Sequence, residues 1–303
     1  MEIKRIDNPT INDEAIVDVK KMGNITEVRY MKYRPEQKIL KLNKDEYIVL
    51  STGKTEKFYH KKTRAENLSS VAQSLKRLRD IINTNVSTPQ NCLWETLTYA
   101  GNMTDVKRLY DDFKKFNMRL TYYLKTNHLP KHEYIVTVEP QGRGAWHMHN
   151  IIIFNEKASF IENKILAELW GQGFVKIKRL NNIDNIGLYL TAYLGDMELN
   201  PHKRISPNAQ IKEVTTYNSG EKSTKYYIKG ARLILYPKGL RIFRHSYGIK
   251  LPITQRMTNR EATESLVNHK PTYEKTIEIN CKNKLDDNLS ENNVINYRYF
   301  NKA

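Results

Sequence analysis

The sequence predicts an α+β fold in which helices cover a central antiparallel β-sheet, and two observations support this prediction. The strand-like segments 132–139 and 146–154 are joined by the turn-forming stretch 140–144, an arrangement typical of a β-hairpin. Among the β-prone runs lie segments whose apolar residues recur at helical spacing. Because a helix with one apolar face buries that face against a sheet, both kinds of element are expected to share one core.

Two strands and one helix are the clearest elements of the first 86 residues. Alternating and β-branched residues at 25–30 and 46–50 indicate strands. Residues 64–83 are expected to form a helix, because five apolar residues recur there every three or four positions. We assign residues 1–86 to a smaller N-terminal α/β region.

Most of the remaining regular elements are expected within residues 87–260. Residues 93–100 are apolar and β-prone, and a long helix follows with Thr104 as its expected N-cap. Further along the chain we expect a helix near 160–170, a strand at 174–180 and a helix at 184–195. Basic and apolar residues then alternate over 225–250. Residues 261–303 lose this periodicity and gain Asn, Asp, Glu and Lys, which predicts a weakly ordered tail.

The composition is that of a polar protein with enough apolar residues for a core. Hydrophobic residues make up 39% of the 303 residues, and the mean hydropathy is −0.67. No run approaches the roughly 18 apolar residues of a membrane span, and the first residues lack the apolar stretch of a secretory signal. We therefore expect a cytoplasmic protein without a membrane partner, in which Cys92 and Cys281 are reduced thiols.

The charge of the chain points to a polyanionic partner. Fifty Lys and Arg residues stand against 33 Asp and Glu residues, for a formal net charge of +17. A field of this sign favours salt-sensitive binding of nucleic acid. An anionic membrane surface is the competing partner, but the sequence shows no basic helix with a clean apolar face.

His147 and His149 are candidate metal ligands. They are one residue apart in a predicted strand, so their side chains point to the same face of the sheet. The predicted hairpin brings Glu139 opposite His147. Two imidazoles and one carboxylate leave open positions on a divalent ion, with Mn²⁺ favoured over Mg²⁺ by the nitrogen ligands. Ordinary strand histidines and a solvated strand-end carboxylate are the alternative.

Tyr189 and Tyr193 are candidate nucleophiles. Their i,i+4 spacing places them on one face of the predicted helix. A tyrosine hydroxyl that attacks a phosphodiester forms a covalent phosphotyrosine and frees a 3′-hydroxyl. The alternative is that they pack in a core, since the chain contains 19 tyrosines.

Three segments together resemble the motifs of HUH endonucleases, and most closely those of rolling-circle replication initiators (Rep proteins) of bacterial plasmids and phages. The segments are Leu97-Thr98-Tyr99, Glu139-Pro-Gln-Gly-Arg-Gly-Ala-Trp-His-Met-His149 and Ile186-Gly-Leu-Tyr-Leu-Thr-Ala-Tyr-Leu194. The resemblance covers roughly residues 90–250. It implies metal-dependent nicking at an origin, a 5′-phosphotyrosine link and later strand rejoining. It also implies an HUH/RRM-like central sheet that bears the histidines, with the tyrosine helix beside it.

One position departs from the pattern of this family. Tyr189 matches the nucleophile, but Ala192 stands where the family has a lysine three residues later. Tyr193 could therefore act instead of Tyr189 or together with it. The charge of the missing lysine could come from Lys225 or Lys229.

Basic residues interleaved with aromatic ones are candidates for a DNA channel, because single-stranded DNA binds through phosphate charge and base stacking. These DNA-binding candidates are Arg143, Lys176, Lys178, Lys225, Lys229, Arg241 and Arg244. The N-terminal region, 1–86, is a further candidate for origin recognition.

Three other functions stay open. A relaxase or a single-stranded-DNA transposase would use the same site chemistry, and a non-catalytic DNA-binding regulator would use the histidines structurally. The sequence contains no GxxxxGK[ST] phosphate loop. Strand unwinding is therefore expected from a host helicase and synthesis from a host polymerase, while the oligomeric state stays open.

Overall fold

The structure is a computed structural model, and it describes residues 2–34, 36–60, 66–141, 144–180, 186–191, 194, 196–198, 211–218, 221–228, 230–237, 239–267, 269–280 and 292–301. In chain order the strands are β1 (Glu2–Ile6), β2 (Ile16–Met22), β3 (Ile25–Met31), β4 (Ile39–Lys41), β5 (Glu46–Val49), β6 (Thr55–Lys57), β7 (Cys92–Tyr99), β8 (His132–Pro140), β9 (Trp146–Phe154), β10 (Gly173–Arg179), β11 (Met197–Glu198), β12 (Ile211–Asn218), β13 (Glu221–Ile228), β14 (Phe243–His245), β15 (Ile253–Thr258), β16 (Tyr273–Asn280) and β17 (Asn292–Asn301). The α-helices are α1 (Leu68–Asn85), α2 (Val106–Thr126), α3 (Asn163–Trp170), α4 (Ile186–Thr191) and α5 (Asn259–Glu264). The predicted α+β class is confirmed, because large antiparallel sheets are flanked by few helices.

The chain divides into two compact units. One unit combines Met1–His60 with Pro252–Ala303, and the other is Lys61–Leu251. This grouping differs from the expected parts 1–86, 87–260 and 261–303. The helix expected at 64–83 lies in the second unit, since Leu78 and Ile82 of α1 join a buried cluster with Ile135 and Ile151 of the second unit's sheet.

The first unit contains a six-stranded antiparallel sheet with the order β1-β16-β17-β3-β2-β15. One buried cluster of this unit includes Val17, Val19 and Val28 of the sheet and Ala262 of α5. The helix α5 begins with a capping box in which Thr258 and Glu261 bond each other's backbone N–H. A separate three-stranded sheet has the order β4-β5-β6.

The expectation of a weakly ordered tail at 261–303 is not met over 273–280 and 292–301, where β16 and β17 pair side by side. Strand β17 is difficult to recognise because polar residues are buried within it. The Asn296 side chain is fully buried and donates from Nδ2 to Thr276 Oγ1 at 2.9 Å. Partners supplied by the neighbouring strand replace the apolar pattern on which the sequence prediction depends.

The second unit contains a five-stranded antiparallel sheet with the order β10-β7-β9-β8-β14. The predicted hairpin is confirmed, since β8 and β9 pair from His132↔Phe154 to Pro140↔Trp146. Residues of α2 and α3, including Phe116 and Trp170, pack with Met148 and Ile152 on one face of the sheet. The other face is covered near the opposite end of β9 by the buried cluster that includes residues of α1 and α4. A separate three-stranded sheet has the order β11-β13-β12.

Two helix termini differ from the sequence prediction. Asp105, rather than Thr104, caps α2 by accepting the Lys107 N–H at 2.9 Å. The helix expected at 184–195 is observed as α4 over Ile186–Thr191, and residues 181–185, 192, 193 and 195 lie outside the described residues. Cys92 is buried at the start of β7, where burial raises the pKa of its thiol to about 12. None of the helices in the described part of the chain combines the length and apolar character that a bilayer crossing requires.

Candidate metal centre

Glu139, His147 and His149 share one face at the end of the β8–β9 hairpin. Glu139 pairs directly with His147, and His149 pairs with Thr137, two residues before Glu139 on β8. Directly paired residues of an antiparallel sheet lie on the same face, as do residues two apart on one strand. The expectation that the hairpin brings Glu139 opposite His147 is therefore confirmed. We call these three residues the Glu-His-His cluster.

One carboxylate oxygen stands between the two imidazoles. Glu139 Oε2 lies 3.0 Å from His147 Nε2 and 2.8 Å from His149 Nε2. The three atoms that could coordinate a metal all lie within 4.8 Å of one another. Each ring nitrogen must donate in this metal-free arrangement, because an ionised carboxylate only accepts.

The cluster is largely withdrawn from water. Glu139 is buried, and the His147 and His149 side chains are 15% and 20% exposed. Burial lowers the pKa of His147 to about 4. Burial, followed by the charges of His147 and Lys178, lowers the pKa of His149 to about 3. Both imidazoles are therefore neutral at physiological pH, which is the form that binds metals.

The neighbouring strands orient His149. Thr96 Oγ1 of β7 lies 3.2 Å from His149 Nδ1, on the side of the ring away from Glu139. The Trp94 ring lies 5.8 Å from the His149 ring between centroids, and Lys178 Nζ lies 5.7 Å from the Trp94 centroid. A partner on Nδ1 leaves Nε2 directed at the cluster, as is usual for metal-ligating histidines.

Arg232 contacts the cluster, and the sequence analysis did not identify it. Its Nη1 donates to Glu139 Oε1, the oxygen that the histidines do not use. The Arg232 side chain is 19% exposed, and burial lowers its pKa from the ordinary arginine value. The only sequence signal for this residue is its place in the segment 225–250, where basic and apolar residues alternate.

The donor set fits a divalent metal ion. Two neutral imidazole nitrogens and one carboxylate oxygen converge from two adjacent strands, and the backbone hydrogen bonds of those strands hold the ligands in register. A set of three mixed nitrogen and oxygen ligands leaves coordination positions for water and a substrate oxygen. The arrangement does not distinguish Mn²⁺ from Mg²⁺.

The helix that carries Tyr189 packs closely against α1. The Gly187 N–H of α4 donates to Asn83 Oδ1 at 2.8 Å. A Cβ atom at position 187 would lie 2.5 Å from the Arg79 carbonyl oxygen and 2.6 Å from Asn83 Oδ1. Only glycine allows this approach. The backbone of Tyr189 belongs to α4, whereas its side chain and the whole of Tyr193 lie outside the described residues.

The DNA-binding candidates fall into three groups. Lys176 and Lys178 are exposed on β10, on the same sheet face as the Glu-His-His cluster, because they pair with Thr96 and Trp94. Arg241 and Arg244 are exposed at the opposite edge of the sheet, beside and on β14. The remaining candidates are outside the description: Arg143, Lys229 and the side chain of Lys225.

Comparison with known proteins connects this site to DNA replication. A family model described as replication-associated protein ORF2 matches residues 92–198, about a third of the chain. This range contains the Glu-His-His cluster, Tyr189 and Tyr193. No curated protein matches the chain. The family match is consistent with an initiator of rolling-circle replication and indicates a role in replication initiation.

Proposed function

We propose that this protein nicks and rejoins single-stranded DNA at a specific site, in a metal-dependent reaction with a 5′-phosphotyrosine intermediate, and so initiates rolling-circle DNA replication. The observation that carries the proposal is the convergence of Glu139 Oε2 with the Nε2 atoms of His147 and His149. The match to a replication-associated family over the same residues supports it. The net charge of +17 supports DNA as the substrate.

In this reaction the cluster residues hold the metal and a tyrosine does the covalent chemistry. A divalent ion, Mn²⁺ or Mg²⁺, polarises the scissile phosphate and offsets the charge that develops on it. The tyrosine oxygen bonds to phosphorus and loses its proton, while the bond between phosphorus and the 3′-oxygen breaks and this oxygen becomes a hydroxyl. Rejoining reverses both changes, so no external energy source is required.

Tyr189 and Tyr193 are the proposed nucleophiles. Tyr189 lies on α4, and the contact of Gly187 with α1 supports a defined position for this helix. Arg232 brings a positive charge to the cluster from a part of the chain that follows the tyrosines. Unwinding by a host helicase and synthesis by a host polymerase complete the proposal.

A denaturing gel tests the proposal. The protein is mixed with single-stranded origin DNA from the genetic element that encodes it, with Mn²⁺ or Mg²⁺ present. We expect a slow-migrating covalent adduct that is lost in Tyr189→Phe, in Tyr193→Phe or only in the double variant. Tyr122→Phe is the matched control, since Tyr122 is 71% exposed on α2. Persistent DNA binding without an adduct in either metal would refute the nicking function.

A further inference from the structure

The second unit has a cleft beside its edge strand β14 that the description of the metal centre does not include. Its volume is about 580 Å³, and it lies between residues of α1 and of β14. Its lining includes three arginines, one histidine and two aromatic residues, namely Arg77, Arg241, Arg244, His245, Tyr134 and Phe243. No acidic residue is among the described residues that line it. We call it the β14 cleft.

The arginines of the β14 cleft carry charge that is not neutralised. Arg77, Arg241 and Arg244 are exposed, and within the described part of the chain no acidic side chain forms an ion pair with them. By contrast, Arg232 is ion-paired with Glu139. The Arg244 guanidinium lies 3.5 Å from the centroid of the Tyr110 ring, which orients it without reducing its charge.

The sheet register connects this cleft to the metal centre. Phe243 of β14 pairs with Thr137 of β8, and Thr137 pairs with His149 of β9. All three residues therefore lie in one row across the same face of the sheet. Two strand spacings separate Phe243 from His149, or about 10 Å. One or two nucleotides of an extended strand would cover this distance.

The chemistry of the lining favours single-stranded DNA over other anions. Three unpaired guanidinium groups match successive backbone phosphates. Tyr134 and Phe243 are half-buried in the cleft, and an aromatic face there is open only to a base that has left its duplex stack. A small inorganic anion would use the arginines but not the rings.

We propose that the β14 cleft binds the single-stranded DNA that flanks the phosphate at the Glu-His-His cluster. The arginines hold the backbone, and Phe243 contacts an unstacked base. The inference rests on the proposed function for the identity of the phosphate at the cluster. The binding itself does not need metal or cleavage.

The salt dependence of DNA binding in EDTA tests the role of the arginines. The probe is a fluorescently labelled oligothymidine, and its affinity is measured by anisotropy over a series of KCl concentrations. We expect the triple variant Arg77→Gln/Arg241→Gln/Arg244→Gln to bind more weakly. Its plot of log affinity against log salt should be flatter by about 2, because each phosphate contact on a single strand contributes about 0.7.

A control with the same loss of charge separates local contacts from net charge. Lys115→Gln/Lys125→Gln/Lys164→Gln removes three exposed lysines of α2 and α3. We expect this variant to retain nearly the full slope. An equal reduction of slope in both triple variants, or in neither, would overturn the proposal.

Two further measurements test the preference for single strands. We expect Phe243→Leu to weaken oligothymidine binding about fivefold or more and to leave the salt slope unchanged. Thermal unfolding verifies that this variant is folded. We also expect the triple arginine variant to lose more affinity for the single strand than for a duplex; equal losses would assign the cleft to duplex DNA instead. Because EDTA prevents metal-dependent nicking, these results stand apart from failure of the proposed reaction.

Discussion

Arg232 and Glu139 form an ion pair at the metal centre although 93 residues separate them in the chain. Glu139 thereby divides its two oxygens, with Oε1 on the guanidinium and Oε2 between His147 and His149. A carboxylate held on one side presents the other oxygen in a defined direction. Partners of this kind around metal ligands commonly affect metal affinity as strongly as some of the ligands do.

Replacing Arg232 tests this arrangement. We expect Arg232→Met to reduce Mn²⁺ affinity by about tenfold or more, because Glu139 loses the group that orients it. Arg232→Lys keeps the charge without the planar donor geometry, so its affinity should lie between the two. Isothermal titration calorimetry with Mn²⁺ and no DNA gives the affinities. Unchanged or tighter binding by Arg232→Met would show that the arginine acts mainly by repelling the ion.

Removing both histidines should separate metal binding from DNA binding. We expect His147→Ala/His149→Ala to bind no Mn²⁺ in calorimetry and to form no covalent adduct. Its affinity for oligothymidine in EDTA should stay within a few-fold of the parent protein, because phosphate charge supplies most of that affinity. His128→Asn is the control, since His128 is exposed and asparagine tolerates its φ of 53°. Adduct formation at the normal rate by the double variant would end the metal assignment.

Gly187→Ala should displace the tyrosine helix without changing the metal ligands. The added Cβ would collide with the Arg79 carbonyl and Asn83, so α4 must move away from α1. We expect unfolding to become easier by about 1–3 kcal/mol, as is usual for overpacked contacts. Adduct yield should fall while Mn²⁺ affinity stays unchanged. Gly101→Ala is the matched control because nothing lies within 4 Å of its added Cβ; equal effects of the two changes would contradict the packing argument.

Glu95→Gln should stabilise the protein at neutral and alkaline pH. Glu95 is completely buried on the sheet face opposite to the metal centre, and burial raises its pKa to about 7, partly offset by the bond from Asn150. Between pH 4.5 and 7 the folded protein therefore holds a proton that the unfolded chain releases, so this residue makes stability fall as pH rises. Above pH 7 the deficit is constant, on the order of 3 kcal/mol at most.

Thermal unfolding at several pH values measures this effect. Glu95→Gln should raise the melting temperature at about pH 8 and give a smaller difference at about pH 5. Two buried oxygens without a partner among the described residues, Glu95 Oε1 and Asn150 Oδ1, agree with a protonated Glu95. Glu168→Gln serves as the control because Glu168 is exposed on α3. A variant that is equally stabilised at both pH values would argue against a raised pKa.

Much of the second unit follows from local pattern. The β8–β9 hairpin could be predicted because the turn residues at 140–144 separate two β-prone runs, and its register then placed Glu139 opposite His147. Strand β17 could not be predicted in this way. Its buried Asn296 is satisfied by side chains of β16, so neither its burial nor its pairing is visible from its own residues.

The assignment of helices to units also required the structure. Helix α1 has an apolar stripe that is visible in the sequence, but the stripe does not say which sheet it covers. The return of Pro252–Ala303 to the unit of Met1–His60 is a pairing between distant strands, for which local pattern contains no signal.

The sequence by itself determined the α+β class, the hairpin and the alternation that puts His147, His149 and Glu139 on one face, because these depend on residues within one short stretch. Only the tertiary structure decided that Arg232 reaches Glu139, that α4 packs on α1 through Gly187, and that three arginines meet at β14. These contacts join residues distant in the chain. They are set by how whole strands and helices pack, and hydrophobic burial drives that packing without leaving a mark on the polar residues it brings together.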